Sequence, residues 1–380
     1  MALALVRLIA QPTPERRSAV RRLVPAVDMH RLLELLAEQR LVATLAGQLL
    51  ADDEVELDSE ITESIQAARL RARQRGLLNH SVTMRLTLAL EDAGIATAPL
   101  KGAMLADTVY GDIGARQSSD IDLLVDAAGL DRTVELAERQ GWREPEVLRP
   151  DGLPRLHREL FHETLPPLEL HWRIHWYEDA FAAAALARAQ PTADGWRRLQ
   201  PADELASLLL FLARDGFAGL RQTVDVAAWW AALGEGADPA AGIRAIVAAH
   251  PELERALTAA ARYTEDLAGI RPGALAGTTA PLSARERAAL RLANPWVEGP
   301  REQVAAGVSL VDGLLSPPHG TGAFVGRQLF PPRSVLVRRR PRLHGASSAR
   351  LGAARLGHAA RVLGRYFLSA RAAFARPRAT

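Results

Sequence analysis

The chain has 380 residues, of which 48% are hydrophobic, and its 47 basic residues nearly balance 44 acidic ones. This length is sufficient for two or three compact units that bury a sizeable core. The absence of cysteine excludes disulfides, thiol redox chemistry and thiolate metal sites. The sequence has no apolar run of roughly 18 residues and begins with too short an apolar stretch for a signal peptide. We therefore expect a cytoplasmic protein with no transmembrane segment.

The hydrophobic pattern predicts helices over residues 15–93, with Asp58 as the N-cap of a long helix that ends near Gly94. A region of mixed strands and helices follows. Its predicted elements are a strand at 95–100, a turn at 101–102, a helix at 103–110, a strand at 119–125, a helix at 130–140 and a hairpin formed by strands near 158–163 and 168–172.

Helical patterns return after residue 200, at 203–214, 220–233, 251–269 and 283–292. The expected fold class is therefore α+β and predominantly helical, with a small mixed β-sheet, flanking helices and an additional helical domain. The predicted segments are an N-terminal helical region at 1–93, a candidate catalytic core at 94–180, a helical domain at 181–316, and a proline-containing linker with a basic C-terminal helix at 317–380.

Two aspartates in the second predicted strand give the strongest functional signal. Because side chains alternate along a strand, Asp120 and Asp122 share one face, while Ile121, Leu123 and Val125 take the other. Two neighbouring carboxylates in an apolar strand repel each other and resist desolvation, so they predict a bound cation. Mg²⁺ fits best, with Mn²⁺ as the alternative, and Mg²⁺ commonly completes its oxygen ligands with substrate phosphates. The pattern thus predicts a triphosphate as the ligand that completes the metal site.

Four ordered motifs between Leu100 and Trp172 carry a resemblance to a known family. They are LKGxxLA, Arg116, SDIDLLV and ELHW. With them the chain resembles the nucleotidyltransferase superfamily, which has the polymerase β-like fold, and looks most like the uncharacterised nucleotidyltransferases within it. The resemblance implies Mg²⁺-dependent transfer of a nucleoside monophosphate from an NTP to a hydroxyl or phosphate acceptor. It leaves open whether that acceptor is a small molecule, a natural product, a peptide or RNA.

The resemblance assigns roles to individual residues. Asp120, Asp122 and Glu169 would be the metal-binding and catalytic carboxylates, with Glu169 acting on the acceptor proton. His171 would hydrogen-bond the Glu169 carboxylate without itself contacting the metal. Gly102 would form the phosphate-binding turn, although Ala103 follows it where the superfamily usually has Gly or Ser.

Lys101 stands out in the composition because it is the only lysine beside 46 arginines. A compact ammonium reaches a phosphate as a point charge where the planar guanidinium fork does not fit. Arg116 could offer such a fork to phosphate. Lys101, Gly102, Arg116 and Ser119 are therefore the predicted nucleotide-binding residues, whereas plain surface roles remain the alternative for Lys101 and Arg116.

Four histidines invite a zinc interpretation, namely His157, His162, His171 and His175. Without cysteine a structural zinc site is not expected, and we predict that they are ordinary hydrogen-bonded residues. The sequence also lacks the GxxxxGK[ST] phosphate loop, a GxGxxG turn after a strand, the nucleophile elbow and the kinase signatures. These absences argue against the common ATPase, dinucleotide-binding, hydrolase and kinase folds.

Positive charge is concentrated at the C-terminus. The last acidic residue is Asp312, and 13 arginines follow it. From Ala349 a basic amphipathic helix is predicted, with Leu356, Leu363, Phe367 and Phe374 on one face and Arg350, Arg361 and Arg365 on the other. It could bind RNA, an acidic membrane surface or the acidic body of the protein itself. Two rivals to an enzyme follow: a noncatalytic RNA-binding or scaffold protein on a decayed transferase fold, and a peripheral membrane protein.

Overall fold

A computed structural model describes residues 1–145, 156–178, 180–233 and 238–375 of the chain. The N-terminal region is helical, as predicted. It contains α1 (Ala2–Ala10), α2 (Pro14–Leu23), α3 (Met29–Glu38) and α4 (Ser59–Asp92), with 3-10 turns at Val24–Ala26 and Ala46–Ala51. Asp58 is the N-cap of α4, as predicted, because its carboxylate accepts a hydrogen bond from the Ile61 amide at 2.8 Å.

The next region forms a four-stranded mixed sheet. Its elements are β1 (Thr97–Pro99), α5 (Ala103–Thr108), β2 (Ile121–Val125), α6 (Leu130–Arg139), β3 (His157–Leu160) and β4 (Leu168–His171), with a 3-10 turn at Ala127–Gly129. The strand order is β1-β2-β4-β3, and only the central pair β2 and β4 is parallel. The predicted hairpin of β3 and β4 is confirmed, and so is its position beside the aspartate strand.

The two faces of the sheet belong to different hydrophobic cores. Ile121, Leu123 and Val125 lie in a core formed with α4 and α6. Leu100 and Leu124, on the other face, join a larger core built mainly from helices. The alternation predicted for β2 therefore places Asp122 on the face that meets the helical part of the protein.

The remainder of the described chain is almost entirely helical. It contains α7 (Phe181–Arg188), β5 (Gln190–Pro191), β6 (Arg197–Arg198), α8 (Pro201–Arg214), α9 (Arg221–Ala232), α10 (Pro239–Ala249), α11 (Glu254–Ala268), α12 (Ala284–Leu292), α13 (Arg301–Leu315), α14 (Pro318–Leu329), α15 (Arg333–Arg339) and α16 (Ser348–Ala375), with 3-10 turns at Pro251–Leu253 and Pro341–Leu343. Helix α1 packs against α9 and α11, so the N-terminal and later helices share the larger core. The α+β, predominantly helical fold class is confirmed, whereas the four segment boundaries stay a prediction.

Several elements are shorter than predicted, and local hydrogen bonds explain one of these differences. Strand β2 begins at Ile121 rather than at residue 119. Just before it, the Ser118 hydroxyl donates a hydrogen bond to the Asp120 carbonyl at 3.0 Å, a local contact that competes with strand pairing. Helix α5 ends at Thr108, and the side chain of Tyr110 beyond it bonds across to α9 instead.

The long C-terminal helix is confirmed as α16, which packs against α12, α13 and α14. No described helix has both the length and the apolar character that crossing a bilayer requires.

Candidate functional site

Strand pairing brings Asp122 and Glu169 side by side. They are directly paired across the parallel strands β2 and β4, and on the far side of β4 Glu159 is paired with Glu169. Paired residues point to the same face of a sheet, so three neighbouring strands present a row of carboxylates. Asp120 lies just before β2, where its carbonyl and its carboxylate both contact the Ser118 hydroxyl. Residues that are far apart in sequence thus form one acidic strip.

His171 joins the two central carboxylates. Its Nε2 atom lies 3.1 Å from Asp122 Oδ1 and 3.2 Å from Glu169 Oε2, and the imidazole is fully buried. Because this nitrogen faces two carboxylate oxygens, we assign a hydrogen to Nε2, which donates to them. The predicted contact between His171 and Glu169 is therefore present, together with a contact to Asp122 that was not predicted.

Lys101 approaches the same carboxylate from the turn after β1. Its Nζ atom lies 3.1 Å from Asp122 Oδ1 and 4.4 Å from the centre of the Phe211 ring on α8. Burial alone would raise the pKa of the Asp122 carboxyl, but the charge of Lys101 and the hydrogen bond from His171 hold that pKa well below its ordinary value. Burial would likewise raise the pKa of Glu169, and the hydrogen bond from His171 lowers it. Both carboxylates are therefore ionised at neutral pH.

One oxygen of this cluster has no partner within the described protein. Lys101 and His171 both contact Oδ1 of Asp122, while Oδ2 is buried without any hydrogen-bond partner. A buried carboxylate oxygen without a partner is costly. An additional cation or donor beside Oδ2 would remove that cost, so the cluster fits a metal ion.

The glycine turn lies next to the start of the aspartate strand. Gly102 has φ +80°, a conformation that favours glycine, and directly precedes α5. A Cβ atom at Gly102 would lie 3.3 Å from Ser118 Oγ, and the same hydroxyl is 3.4 Å from Asp120 Oδ1. The turn and Asp120 are thus close neighbours. Ala103, which departs from the superfamily pattern, is buried as the first residue of α5.

Arg116 and Ser119 both have partners within the protein. The Nε and Nη2 atoms of Arg116 donate to the two carboxylate oxygens of Asp225 on α9, each at 2.8 Å. Ser119 Oγ accepts a hydrogen bond from Arg40 Nη1 at 2.5 Å. The ion pair ties the loop before β2 to the later helices, a contact over 109 positions that no local pattern indicates.

His157 belongs to a group of possible metal ligands that the sequence did not predict. Among the described residues, His157, Glu169 and His171 offer ligand atoms that all lie within 4.8 Å of one another, a group that includes neither Asp120 nor Asp122. The two imidazole rings are 4.9 Å apart, because His157 on β3 is paired with His171 on β4. The predicted hairpin contained the signal, since it places these positions opposite each other. The expectation of ordinary hydrogen-bonded histidines did not include this group, because the group forms only when β3 and β4 pair.

Comparison with known protein families identifies the family of this chain. The sequence profile of the family described as "Uncharacterised nucleotidyltransferase" matches residues 25–269, which is more than half of the chain. The chain therefore belongs to this family. Its membership supports nucleotidyl transfer as the general activity, with a nucleoside triphosphate as donor. A search of curated proteins finds no match.

Proposed function

We propose that the protein is a metal-dependent nucleotidyltransferase that moves a nucleoside monophosphate from an NTP to a hydroxyl or phosphate acceptor. The observation that carries this proposal is the pairing of buried Asp122 with partly exposed Glu169, with one oxygen of Asp122 left without a partner in the described protein. The proposed acceptor is a small molecule, a natural product, a peptide or RNA. We also propose that the protein is cytoplasmic.

The residues that would hold the metal are Asp120, Asp122 and Glu169, with His157 at the edge of the group. When bound, Mg²⁺ or Mn²⁺ neutralises phosphate charge and orients the donor. Carboxylates alone suit Mg²⁺, whereas imidazole ligands suit transition metals. An imidazole ligand from His157 would therefore make Mn²⁺, a transition metal, the alternative to Mg²⁺.

The chain's own residues would bind phosphate, accept a proton and orient the carboxylates. Lys101 brings a positive charge to the floor of the site, and the Gly102 turn allows close approach of phosphate oxygens. Glu169 is ionised and only partly exposed, so it can accept the proton of an attacking hydroxyl. His171 holds Glu169 and Asp122 in fixed orientation from the buried side.

A direct test is mass spectrometry of candidate acceptors after incubation with mixed NTPs and either Mg²⁺ or Mn²⁺. The added mass identifies the transferred group. Asp122→Asn should lower turnover at least about 100-fold, because it removes a metal-binding charge with almost no change of shape. The exposed Asp126, just after β2, provides the matched control, and Asp126→Asn should retain wild-type turnover. Wild-type turnover in Asp122→Asn would refute the metal assignment.

A second variant separates the role of Glu169 from that of a plain metal ligand. Glu169→Gln should lower turnover more than donor affinity, because its proposed task concerns the acceptor proton. The exposed Glu163 in the same hairpin serves as the control, and Glu163→Gln should change neither quantity. Equal losses of affinity and turnover in Glu169→Gln would make it a metal ligand only.

The rival function is a noncatalytic RNA-binding or scaffold protein on a decayed transferase fold. Ala103 in place of the usual Gly or Ser, together with the arginine-rich tail, favours it. If the protein shows no metal-dependent nucleotide binding yet binds RNA, this rival replaces the transferase.

A further inference from the structure

Three arginines from three parts of the chain meet beside Asp120. Arg40 follows α3, Arg116 precedes β2, and Arg221 is the first residue of α9. Arg40 Nη1 contacts Ser119 Oγ at 2.5 Å, and Arg221 Nη2 donates to the Gln117 carbonyl at 3.0 Å. Arg40 and Arg221 thus contact the residues that lead into the aspartate strand, and Arg116 directly precedes those residues.

Arg116 has a buried donor that nothing in the described protein uses. Its side chain is only 4% exposed, and its Nε and Nη2 atoms donate hydrogen bonds to Asp225. The third nitrogen, Nη1, has no hydrogen-bond partner. Leaving a charged, buried donor unsatisfied is costly, so an additional hydrogen-bond acceptor beside Nη1 would stabilise it.

The arginines also repel one another. Burial lowers the pKa of Arg221, and the charge of Arg116 lowers it further, while Asp225 and Asp120 act in the opposite direction and Arg40 adds to the repulsion. The three guanidinium groups therefore face two carboxylates, one of which is a proposed metal ligand. A polyanion would relieve this excess of positive charge.

Arg40 is held in an unfavourable backbone conformation. Its φ is +59°, in the left-handed region that non-glycine residues adopt at a cost. The preceding Gln39 fixes this segment, because its Oε1 atom accepts a hydrogen bond from the Leu220 amide at 2.7 Å. The N-terminal region is thus anchored to the start of α9 where Arg40 reaches Ser119.

We propose that Arg40, Arg116 and Arg221 bind the terminal phosphates of the donor triphosphate. The identity of this ligand rests on the proposed nucleotidyl transfer, whereas the anion site itself does not. Guanidinium forks suit bidentate contact with phosphate oxygens. The glycine turn lies close by, since Ser118 touches both Gly102 and Asp120. Donor binding would then link the N-terminal region, the sheet and the later helices.

The test measures binding of inorganic triphosphate by isothermal titration with EDTA present, so that no divalent metal bridges the carboxylates. Arg40→Gln should weaken binding at least about tenfold, because it removes one charge-assisted contact. Arg40 is exposed, so its replacement leaves the core intact. The exposed Arg75 on α4 provides the matched control, and Arg75→Gln should bind as the wild type does.

The outcomes separate this inference from the proposed function. It is overturned if the wild type binds no triphosphate, or if Arg40→Gln binds it as well as the wild type. If triphosphate binding depends on Arg40 but no acceptor gains a nucleotide, the anion site stands and the transferase proposal fails. If transfer proceeds and Arg40→Gln transfers and binds normally, the transferase stands and the anion site fails.

A second inference concerns α16 and is independent of the nucleotide site. One side of α16 packs on α13, where Ser369 Oγ donates to the Gln303 carbonyl at 2.7 Å and Arg365 Nη2 lies 2.7 Å from Glu302 Oε2. The other side exposes the apolar residues that the sequence grouped on one face: Leu356 by 67%, Leu363 by 53% and Phe367 by 67%. Helix α16 thus packs on the rest of the protein through the side opposite these apolar residues. The side chain of Phe374 lies outside the described part.

The charge around this apolar stripe indicates its partner. Arg355 and Arg371 are exposed on the same helix, and no acidic residue follows Asp312. A helix that lies in a membrane interface combines a leucine and phenylalanine stripe with flanking cations. RNA would neutralise the arginines but offers no hydrocarbon to cover the leucines. A second copy of this helix would cover the leucines but would bring like charges together.

We infer that α16 binds the surface of an anionic lipid bilayer. Sedimentation with phosphatidylcholine vesicles containing phosphatidylglycerol should carry down the full-length protein, and vesicles of phosphatidylcholine alone should carry down much less. Leu363→Ser combined with Phe367→Ser should lower the bound fraction at least about fivefold, because it removes apolar anchors. Leu70 on α4, which is 58% exposed, supplies the control, and Leu70→Ser should sediment normally.

Failure of the wild type to sediment would overturn this inference, as would equal sedimentation of the Leu363 and Phe367 double variant. RNA binding without vesicle binding would assign the arginines of α16 to RNA instead.

Discussion

Lys101 occupies a position for which an ammonium group is well suited. Its Nζ atom contacts Asp122 and lies over the face of Phe211, while Arg214 approaches the same ring at 4.6 Å. A planar guanidinium is wider and spreads its donors over a fork. Since this chain uses arginine at its 46 other basic positions, the geometry gives a physical reason for the one lysine.

Lys101→Arg should therefore weaken donor binding or turnover at least tenfold, an effect of about 1.4 kcal/mol, even though the charge is kept. Isothermal titration with a nonhydrolysable NTP measures the affinity, and circular dichroism checks the fold. Arg75→Lys, an exchange at an exposed site, is the control. Normal affinity and activity in a folded Lys101→Arg protein would mean that the lysine has no special role.

For individual residues, the sequence predicts which side chains are functional candidates better than it predicts which partners they contact. The alternation in β2 and the hairpin were sufficient to place Asp122, Glu169 and His171 on one face. The contact of Lys101 with Asp122 and the pairing of Arg116 with Asp225 depend on how distant elements pack, which local periodicity does not specify. The proposed phosphate role of Arg116 thus has a competing partner that only the fold reveals.

Helix α4 supports the loop that leads to the aspartates. Asn79 Nδ2 donates to the Ser118 carbonyl at 3.2 Å, and Arg69 pairs with Asp112 in the same loop at 3.0 Å. Between them Gly76 lies against Ile113, so closely that a Cβ atom would be 2.5 Å from the Ile113 carbonyl oxygen. The glycine permits backbone contact between helix and loop.

Gly76→Ala should destabilise the protein by about 1–3 kcal/mol, because the added methyl group forces the helix and loop apart. Chemical denaturation followed by circular dichroism measures the change. Gly352→Ala on α16 is a matched control, since a Cβ atom there meets nothing within 4 Å. It should leave stability unchanged or raise it by up to about 1 kcal/mol. Similar effects of the two substitutions would argue against close packing at Gly76.

Element types were predictable because apolar spacing and capping residues act locally. Asp58 caps α4 as expected, and the periodic segments after residue 200 are helices. The stripe of Leu356, Leu363 and Phe367 shows where this reasoning stops. Its periodicity is real, but the pattern alone does not determine whether the protein covers that face.

A buried ionic network joins the sheet region to the later helices. Asp225 on α9 accepts hydrogen bonds from Arg116 and, at 2.9 Å, from the Tyr110 hydroxyl. Burial lowers the pKa of Arg116, but the adjacent Asp225 outweighs burial and raises it, so the guanidinium stays charged. Removing one partner would leave a buried charge without compensation.

Asp225→Asn should consequently lower the free energy of unfolding by about 3–5 kcal/mol. Urea denaturation measures the loss, and Asp126→Asn, at an exposed carboxylate, should change it little. Pairing Asp225→Leu with Arg116→Met should recover much of the stability, because the double variant removes both charges of the ion pair together. An Asp225→Asn protein as stable as the wild type would show that the network is not coupled to folding.

The position of the acidic residues on the two central strands has an evolutionary consequence. Backbone hydrogen bonds between β2 and β4 set the spacing of Asp122 and Glu169, and those bonds do not depend on which side chains surround the sheet. The helices around the acidic face can therefore accumulate substitutions, and so reshape the space offered to an acceptor, without moving the two carboxylates apart. Such a scaffold allows new acceptor preferences to arise by changes in the helices alone.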